Sequence, residues 1–297
     1  MTPITAEQYA SFLQSMGHRI RRTASAFWYD VERRFYLAAP HHREYRPTQE
    51  ELRQLFWSTG CVGVRFAAPL SERGKLSYQI VCDNRGYSLE ALSANVRSKV
   101  RRGLRRCEVA PVSFEVLRSE GRQAHEETVA RQGRGEAWDE QRWHRFWDAA
   151  GAAPSFEGWA ARVDGRLAAF LVTVTFEDAV EFLLARSCRE ERGAYPNNAL
   201  IFTVTEEMLV RRGVREITFG LESLEPVGPL DEFKFGMGFR PRPLRQRVEF
   251  HPVVAALLRV GPARALVERW LTRHAQDHVF YRKAAGLLRF AQESSAS

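Results

Sequence analysis

Between Gly158 and Phe250 the sequence spells a fixed order of elements, and that order limits the folds open to the chain. Gly158–Val163 reads as a strand, and Asp164-Gly165 is a hairpin turn signal. Arg166–Thr175 predicts a second strand, Glu177-Asp178 a second turn, and Val180–Ser187 a third strand. A loop, Cys188–Asn198, leads to a helix expected over Ala199–Arg212, which Gly213 ends. Val214–Gly220 reads as a buried strand, followed by a short helix over Leu230–Met237 and a last strand, Arg245–Phe250. An antiparallel meander, a helix and a parallel strand make a mixed sheet, so the expected class is α/β of the α+β kind.

The remaining chain is less regular. Ala6–Ile20 predicts a short amphipathic helix with Tyr9, Phe12, Leu13 and Met16 on one face. Ala26–Leu37 is aromatic and strand-like, and Pro40–Pro47 is a polar connector. Thr48 with Glu51 three residues on forms a capping box for a helix over Thr48–Trp57. Cys61–Ala67 and Lys75–Cys82 read as strands, with Asn84-Arg85-Gly86 as the turn that follows. Ser88–Arg106 predicts a helix with Leu89, Leu92, Val96, Val100 and Leu104 as its apolar stripe. Its other side carries Arg97, Lys99, Arg101, Arg102, Arg105 and Arg106. No acid interrupts that run, so ion pairing within it is impossible. A strand over Val109–Leu117 and helices over Ser119–Arg131 and Glu136–Ala149 follow, the second with a stripe of Trp143, Phe146 and Trp147 read as core. Pro252–Ala296 predicts a basic helical tail broken at Gly261-Pro262. Along the sequence this divides the chain into a mixed N-terminal region (1–117), a central domain (118–252) and the tail (253–297).

The chain has 297 residues and a formal charge of +8, which favours an anionic partner: a nucleotide cofactor, nucleic acid or an anionic membrane surface. The longest apolar stretches, Leu167–Phe176 and Val253–Leu258, are far short of the ~20 residues of a spanning helix. The N-terminus lacks a basic-then-apolar signal pattern, so a soluble cytoplasmic protein without a transmembrane segment is expected. Cys61, Cys82, Cys107 and Cys188 show no ligand or redox spacing. His274 and His278 lack the intervening glutamate of a zinc-protease helix, and no metal is expected.

Two segments carry candidate chemistry. The loop Cys188–Asn198 launches a helix whose N-terminus is a natural anion site. Arg189 and Arg192 add charge, Gly193 permits close backbone approach, and Pro196-Asn197-Asn198 suits a helix start. A polar surface loop with a helix cap would use the same residues. The second segment begins at Glu222, a polar tip after a buried strand, and continues through Phe233-Lys234-Phe235-Gly236-Met237-Gly238-Phe239. A plain strand end and packed helix, with Lys234 solvated, is the alternative there.

The run from the third strand through Arg192-Gly193, Pro196-Asn197-Asn198, the helix, Gly213, the next strand and Phe233–Phe239 resembles the GNAT superfamily of N-acyltransferases. It is most similar to the FemAB-related branch, whose catalytic domain often ends in a Phe-Lys-x-x-x-Gly-Phe-like segment. The resemblance spans Gly158–Pro252 and is weaker over Met1–Leu117, where it implies a degenerate GNAT-like unit and hence a tandem pair followed by C-terminal helices. The superfamily's usual acetyl-CoA loop reads Arg/Gln-x-x-Gly-x-Gly/Ala. This chain departs from it: Tyr195 and Pro196 follow Arg192, and Ala199 at best fills the last position.

The resemblance implies acyl transfer from acyl-CoA (acetyl-CoA as co-substrate) or an acyl carrier protein to an amine of unstated identity. An aminoacyl-tRNA donor is the FemAB-like alternative, and a non-catalytic module binding nucleic acid or a membrane surface is a third. The acyl group would lie between the strand ending at Ser187 and the strand ending at Gly220, its oxyanion held by backbone N–H groups. Glu222 is the first candidate base and Glu181 the second, although a strand glutamate can equally face solvent. Tyr195 is the candidate acid for the leaving group, and Lys234 would hold a phosphate or carboxylate. Ser187, Arg189, Arg192, Gly193, Asn197 and Asn198 complete the expected donor site. The basic tail is a candidate for peripheral contact with an anionic membrane.

Overall fold

The computed structural model describes residues 2–31, 34–133, 138–224, 228–275 and 279–295. Glu136, the expected start of a helix, and His278 lie outside them. The strands are β1 (Ile20–Arg22), β2 (Phe27–Val31), β3 (Phe35–Ala39), β4 (Gly63–Ala68), β5 (Lys75–Cys82), β6 (Glu108–Val112), β7 (Phe156–Val163), β8 (Arg166–Thr175), β9 (Val180–Ser187), β10 (Ile217–Leu221) and β11 (Arg240–Phe250). The chain forms two compact units that are not contiguous in sequence. The first comprises Met1–Thr5, Ile80–Gly220 and Gly228–Pro241; the second comprises Ala6–Gln79, Leu221–Val227 and Arg242–Ser297. This division follows contacts and is distinct from the linear one drawn along the sequence.

In the first unit the strand order is β5-β10-β9-β8-β7-β6. β6, β7, β8 and β9 pair antiparallel in succession, and β10 joins β9 in parallel. Every residue of β8 from Leu167 to Val174 is buried. Apart from Thr173 this run is apolar, as a strand covered on both faces requires. Helices Phe114–Glu120 and Glu140–Gly151 supply one cover: Trp147 packs tilted against Phe170 at 5.8 Å between centroids. Gly121 is packed so close that a Cβ there would stand 2.5 Å from the Leu117 carbonyl and 3.1 Å from the Phe170 ring. Helix Pro196–Glu206 also lies against β7 and β8 and is buried along most of its length.

The second unit has the order β1-β2-β3-β4-β11-β5. β3 and β4 are parallel and joined through helix Gln49–Thr59, whose capping box between Thr48 and Glu51 forms as expected. Trp28 and Phe66 meet edge to face at 5.7 Å above Leu52, Leu55 and Phe56. Each such fully buried side chain contributes roughly 1.5–3 kcal/mol of transfer free energy. Helix Val279–Ser295 docks through Phe290 onto Phe35 and Val248.

Several elements differ from expectation for local reasons. Ala26–Leu37 is two strands forming the hairpin β2–β3, not one. The strand expected over Val109–Leu117 ends at Val112, because the Ser113 hydroxyl accepts the Val116 N–H and starts helix Phe114–Glu120. The helix expected from Ala199 begins at Pro196, whose fixed φ suits the first helical position. The helix expected from Ser88 begins at Ala94, after a short 3-10 turn, and runs to Arg106. Leu104 is exposed there; the inward positions are Val100 and Gly103.

Candidate functional site

β9 and β10 are neighbours for only two residue pairs, Ile217 with Val180 and Thr218 with Glu181. Two features part them. On β9, Leu184 pairs with Val172 and Phe182 with Thr173, so Leu183 is an extra residue, a β-bulge. On β10, the Thr218 hydroxyl accepts the Gly220 N–H at 2.9 Å, and Gly220 takes φ 83°. A non-glycine residue would be strained at that angle. Beyond Glu181, β9 is paired with β8 alone. The strands therefore splay, and backbone groups of β9 on the β10 side are left without a ladder among the described residues. Phe182 and Phe219 meet edge to face at 5.1 Å beside this opening.

A basic cradle forms at the C-terminal end of β9. Ser187 is buried; its N–H donates to the Thr128 hydroxyl at 3.0 Å, and its own hydroxyl accepts from Arg131 at 3.2 Å and from the Asn197 amide at 3.0 Å. Glu127, on the same helix Arg122–Gln132, accepts the Arg189 N–H. Burial, and then the charge of Arg192, lowers the pKa of Arg131; Glu127 counters this and Arg189 adds to it. Arg131, Arg189 and Arg192 therefore share one field, facing the start of helix Pro196–Glu206.

The loop itself is a 3-10 turn, Glu190–Ala194, followed by Tyr195 in the left-handed region at φ 59°. Tyr195 turns the chain into the helix, and its carbonyl accepts the Ala199 N–H. Helix Ala94–Arg106 braces it. Arg102 lies 5.2 Å over the Tyr195 ring, and Arg106 donates to the Gly193 carbonyl at 3.2 Å. A Cβ at Gly193 would meet nothing within 4 Å, so crowding does not demand a glycine there. Asn198 points the other way, its amide donating to the Met237 sulfur at 3.5 Å in the core.

Lys234 pairs with Asp231 at 2.9 Å and lies 5.5 Å over the Phe219 ring. Glu181 is buried at the last β9–β10 pair, six residues and so roughly 20 Å along the strand from Ser187. Glu222 belongs to the second unit. There its carboxylate accepts from the Ser77 hydroxyl at 2.6 Å, and its carbonyl accepts from Arg65 at 2.8 Å and Gln246 at 3.2 Å. Burial lowers the Arg65 pKa to about 10, against the pull of Tyr29 and Glu222.

The structure thus gathers Ser187, Arg189, Arg192, Gly193, Tyr195 and Asn197 around one loop. It adds residues that the sequence reading missed: Glu127, Thr128 and Arg131 on one helix, and the bulge at Leu183. It also adds a pair, buried His125 and half-buried Arg186, in which the Arg186 Nε donates to His125 Nδ1 at 3.2 Å. Burial, then the charges of Arg186, Arg122 and Arg142, lowers the His125 pKa to about 4. The ring is neutral at pH 7 with its proton on Nε2. The only sequence signal for His125, Glu127, Thr128 and Arg131 was their polarity within a helix, which solvated positions share. Among the described residues no group of metal ligands occurs.

The sequence matches the acetyltransferase (GNAT) domain over residues 94–234. The match begins at the basic helix Ala94–Arg106 and takes in the splayed strands and the loop between them. No curated protein sequence matches the chain significantly. Among solved structures it is similar in fold to FemX (TM-score 0.60, 13% identity, 86% of this chain and 93% of that one). It is also similar to the C-terminal domain of a protein described as a lysylphosphatidylglycerol synthetase from Agrobacterium fabrum (TM-score 0.58, 16% identity, 85% and 90%). A tandem GNAT protein from the clavulanic acid biosynthesis pathway shares the fold as well (TM-score 0.51, 11% identity, 84% and 90%). The mixed α/β fold expected from the sequence holds, and the match over residues 94–234 agrees with the expected resemblance to the GNAT superfamily. Among the described residues no helix is long and apolar enough to cross a membrane.

Proposed function

We propose that the GNAT domain moves an acyl group from acyl-CoA, or from a carrier-bound thioester, to an amine. The observation that carries this reading is the parting of β9 from β10 after two residue pairs, with a basic cradle at the end of β9. A thioester in the opening has its carbonyl oxygen beside backbone N–H groups freed at the bulge. The amine nitrogen bonds to the carbonyl carbon, the C–S bond breaks, and the amine proton passes to a base. Glu181, at the root of the opening, is the proposed base, with Glu222 as the second candidate. Tyr195 is the proposed donor of a proton to the departing thiolate. Arg131, Arg189, Arg192, Asn197 and Ser187 would hold the donor's anionic end, and Lys234 an acceptor or donor anion.

A charged tRNA is the second reading, and one feature favours it. The basic helix is braced directly on the donor loop through Arg102 and Arg106, and Lys99 and Arg105 make no ion pair among the described residues. The field of that helix is therefore continuous with the cradle. Native mass spectrometry of the whole chain with acyl-CoAs, acyl carrier proteins and charged tRNAs separates the readings by which donor stays bound. Retention of acyl-CoA, lost in Arg192→Ala and Arg131→Ala, is the expected result. Retention of charged tRNA alone overturns the first reading in favour of the second.

A further inference from the structure

In the second unit, apolar side chains cluster on the outside of the helices after β11. Val253, Leu257 and Val260 follow one another at helical spacing along and just past helix Pro252–Arg259, at 63%, 54% and 53% exposure. The opposite side of that helix, Val254 and Leu258, is the half-buried one, so the exposed stripe is surplus to packing. Helix Gly261–His274 repeats the pattern: Leu266 is 66% and Trp270 47% exposed, while Leu271 faces inward. Trp57, 63% exposed, lies against His251 at the head of the first of these helices, at 4.8 Å between ring centroids.

Charge is interleaved with this surface. Residues 252–275 hold four arginines and one glutamate, and the glutamate, Glu268, pairs with Arg264 at 3.4 Å. Arg259, Arg269 and Arg273 make no ion pair among the described residues. On helix Gly261–His274, Leu266, Arg269, Trp270 and Arg273 lie at i, i+3, i+4 and i+7, and so on one face. Alternating apolar and guanidinium groups, with a tryptophan among them, fit a lipid–water boundary. There apolar side chains enter the acyl layer, arginines reach back to phosphates, and indoles sit at headgroup level.

We propose that this face binds an anionic membrane surface, leaving the helices flat on the bilayer. A second copy of the chain is a poor occupant. A two-fold contact sets the same patch against itself, which would place unpaired arginines opposite arginines. Nucleic acid would satisfy the arginines and leave the valines and leucines in water.

Flotation of the full chain tests this, using phosphatidylcholine vesicles with and without about 30% phosphatidylglycerol. The expected result is binding to the anionic vesicles only, weakening as salt is raised through about 0.5 M. Leu266→Ser combined with Trp270→Ser weakens it at least about tenfold. Arg269→Gln combined with Arg273→Gln weakens it and flattens the salt dependence. Leu266, Arg269 and Arg273 are exposed, whereas Trp270 also meets Tyr281 edge to face at 4.9 Å, so melting stays unchanged in the arginine variant and in Leu266→Ser alone, which should itself weaken binding. No flotation, equal flotation with neutral vesicles, or flotation indifferent to both variants overturns the proposal. So does a stable dimer in sedimentation that Leu266→Ser with Trp270→Ser dissociates.

Discussion

Gly103 offers a direct test of how helix Ala94–Arg106 governs the donor loop. A Cβ at this position would stand 2.8 Å from the Tyr195 carbonyl oxygen, 3.0 Å from the Ala199 Cβ and 3.3 Å from the Ala199 nitrogen. Two of these are backbone atoms at the start of helix Pro196–Glu206, which cannot rotate aside. Replacing a helical glycine by alanine in an open position stabilises by about 1 kcal/mol. Overpacking a tight contact costs about 1–3 kcal/mol. The sum for Gly103→Ala is a loss of about 0–2 kcal/mol. Gly103→Val adds two methyls and forfeits most of the propensity gain, so a loss of about 2–4 kcal/mol is expected. Urea unfolding reads both values, with Ser98→Ala on the exposed side of the same helix staying within about 0.5 kcal/mol of the parent. The functional consequence is displacement of Tyr195 and the first turn of its helix, and so weaker donor binding in Gly103→Ala even where it folds. A Gly103→Val chain as stable as the parent would refute the contact. A Gly103→Ala chain with unaltered donor binding would refute its link to the loop.

Titration of His125 should make stability fall on acidification. Its folded pKa of about 4 lies below the ordinary 6.5, so the unfolded chain binds the proton more readily. The contribution is complete above pH 6.5, falls between 6.5 and about 4, and amounts to about 3 kcal/mol over that window. His125→Gln keeps an acceptor for Arg186 and should flatten that part of the curve; an unchanged slope argues against it. In the second unit, Ser77→Ala removes the 2.6 Å bond to Glu222 and the acceptor of the Gln246 amide, and about 1–3 kcal/mol should be lost in chemical denaturation. Glu181→Gln and Glu222→Gln separate the proposed bases: the true base loses about 10²–10⁴-fold in turnover at saturating substrate. Equal, small effects from both would exclude the pair. Arg189→Ala should raise the donor KM several-fold with kcat little changed.

Strand order was legible because hydrophobic period and turn chemistry agree over Gly158–Ser187. β7, β8 and β9 were expected from Asp164-Gly165 and Glu177-Asp178, and the hairpins form there. What escaped depends on contacts between residues far apart in sequence. The bulge at Leu183 leaves no trace in an apolar strand, since only pairing with Val172 and Thr173 defines it. Leu104 fitted the helical stripe, but the partner helix approaches at Gly103, whose lack of a side chain gave no signal. Arg131 and Thr128 were legible only as members of an expected helix, and their role appears only where Ser187 folds against them. Asn198, expected beside the donor, follows Asn197 by 100° around a helix and so faces the core.

The charge of +8 acquires meaning from which arginines are already satisfied. In the first unit Arg162 grips Glu120 with two bonds, Arg212 grips Glu157 and Glu207, and Arg240 grips Asp83. Such pairs cancel their own far fields and draw no ligand. Arg189 and Arg192 have no such acid partner among the described residues, and both influence Arg131, which bonds the Ser187 hydroxyl. Glu190 and Glu191 share the loop with Arg189 and Arg192, so the surplus positive charge around it comes from Arg131 and from the bracing helix Ala94–Arg106. Like charges crowded around the Arg131 guanidinium raise the free energy of the empty site, and an anion seated there lowers it. On that reasoning the donor's anionic end contributes most of the binding, while the opening between β9 and β10, lined by Phe182 and Phe219, contributes position. Added salt should therefore raise the donor KM while leaving turnover at saturation unchanged; a KM indifferent to ionic strength would remove the basic cradle from the argument.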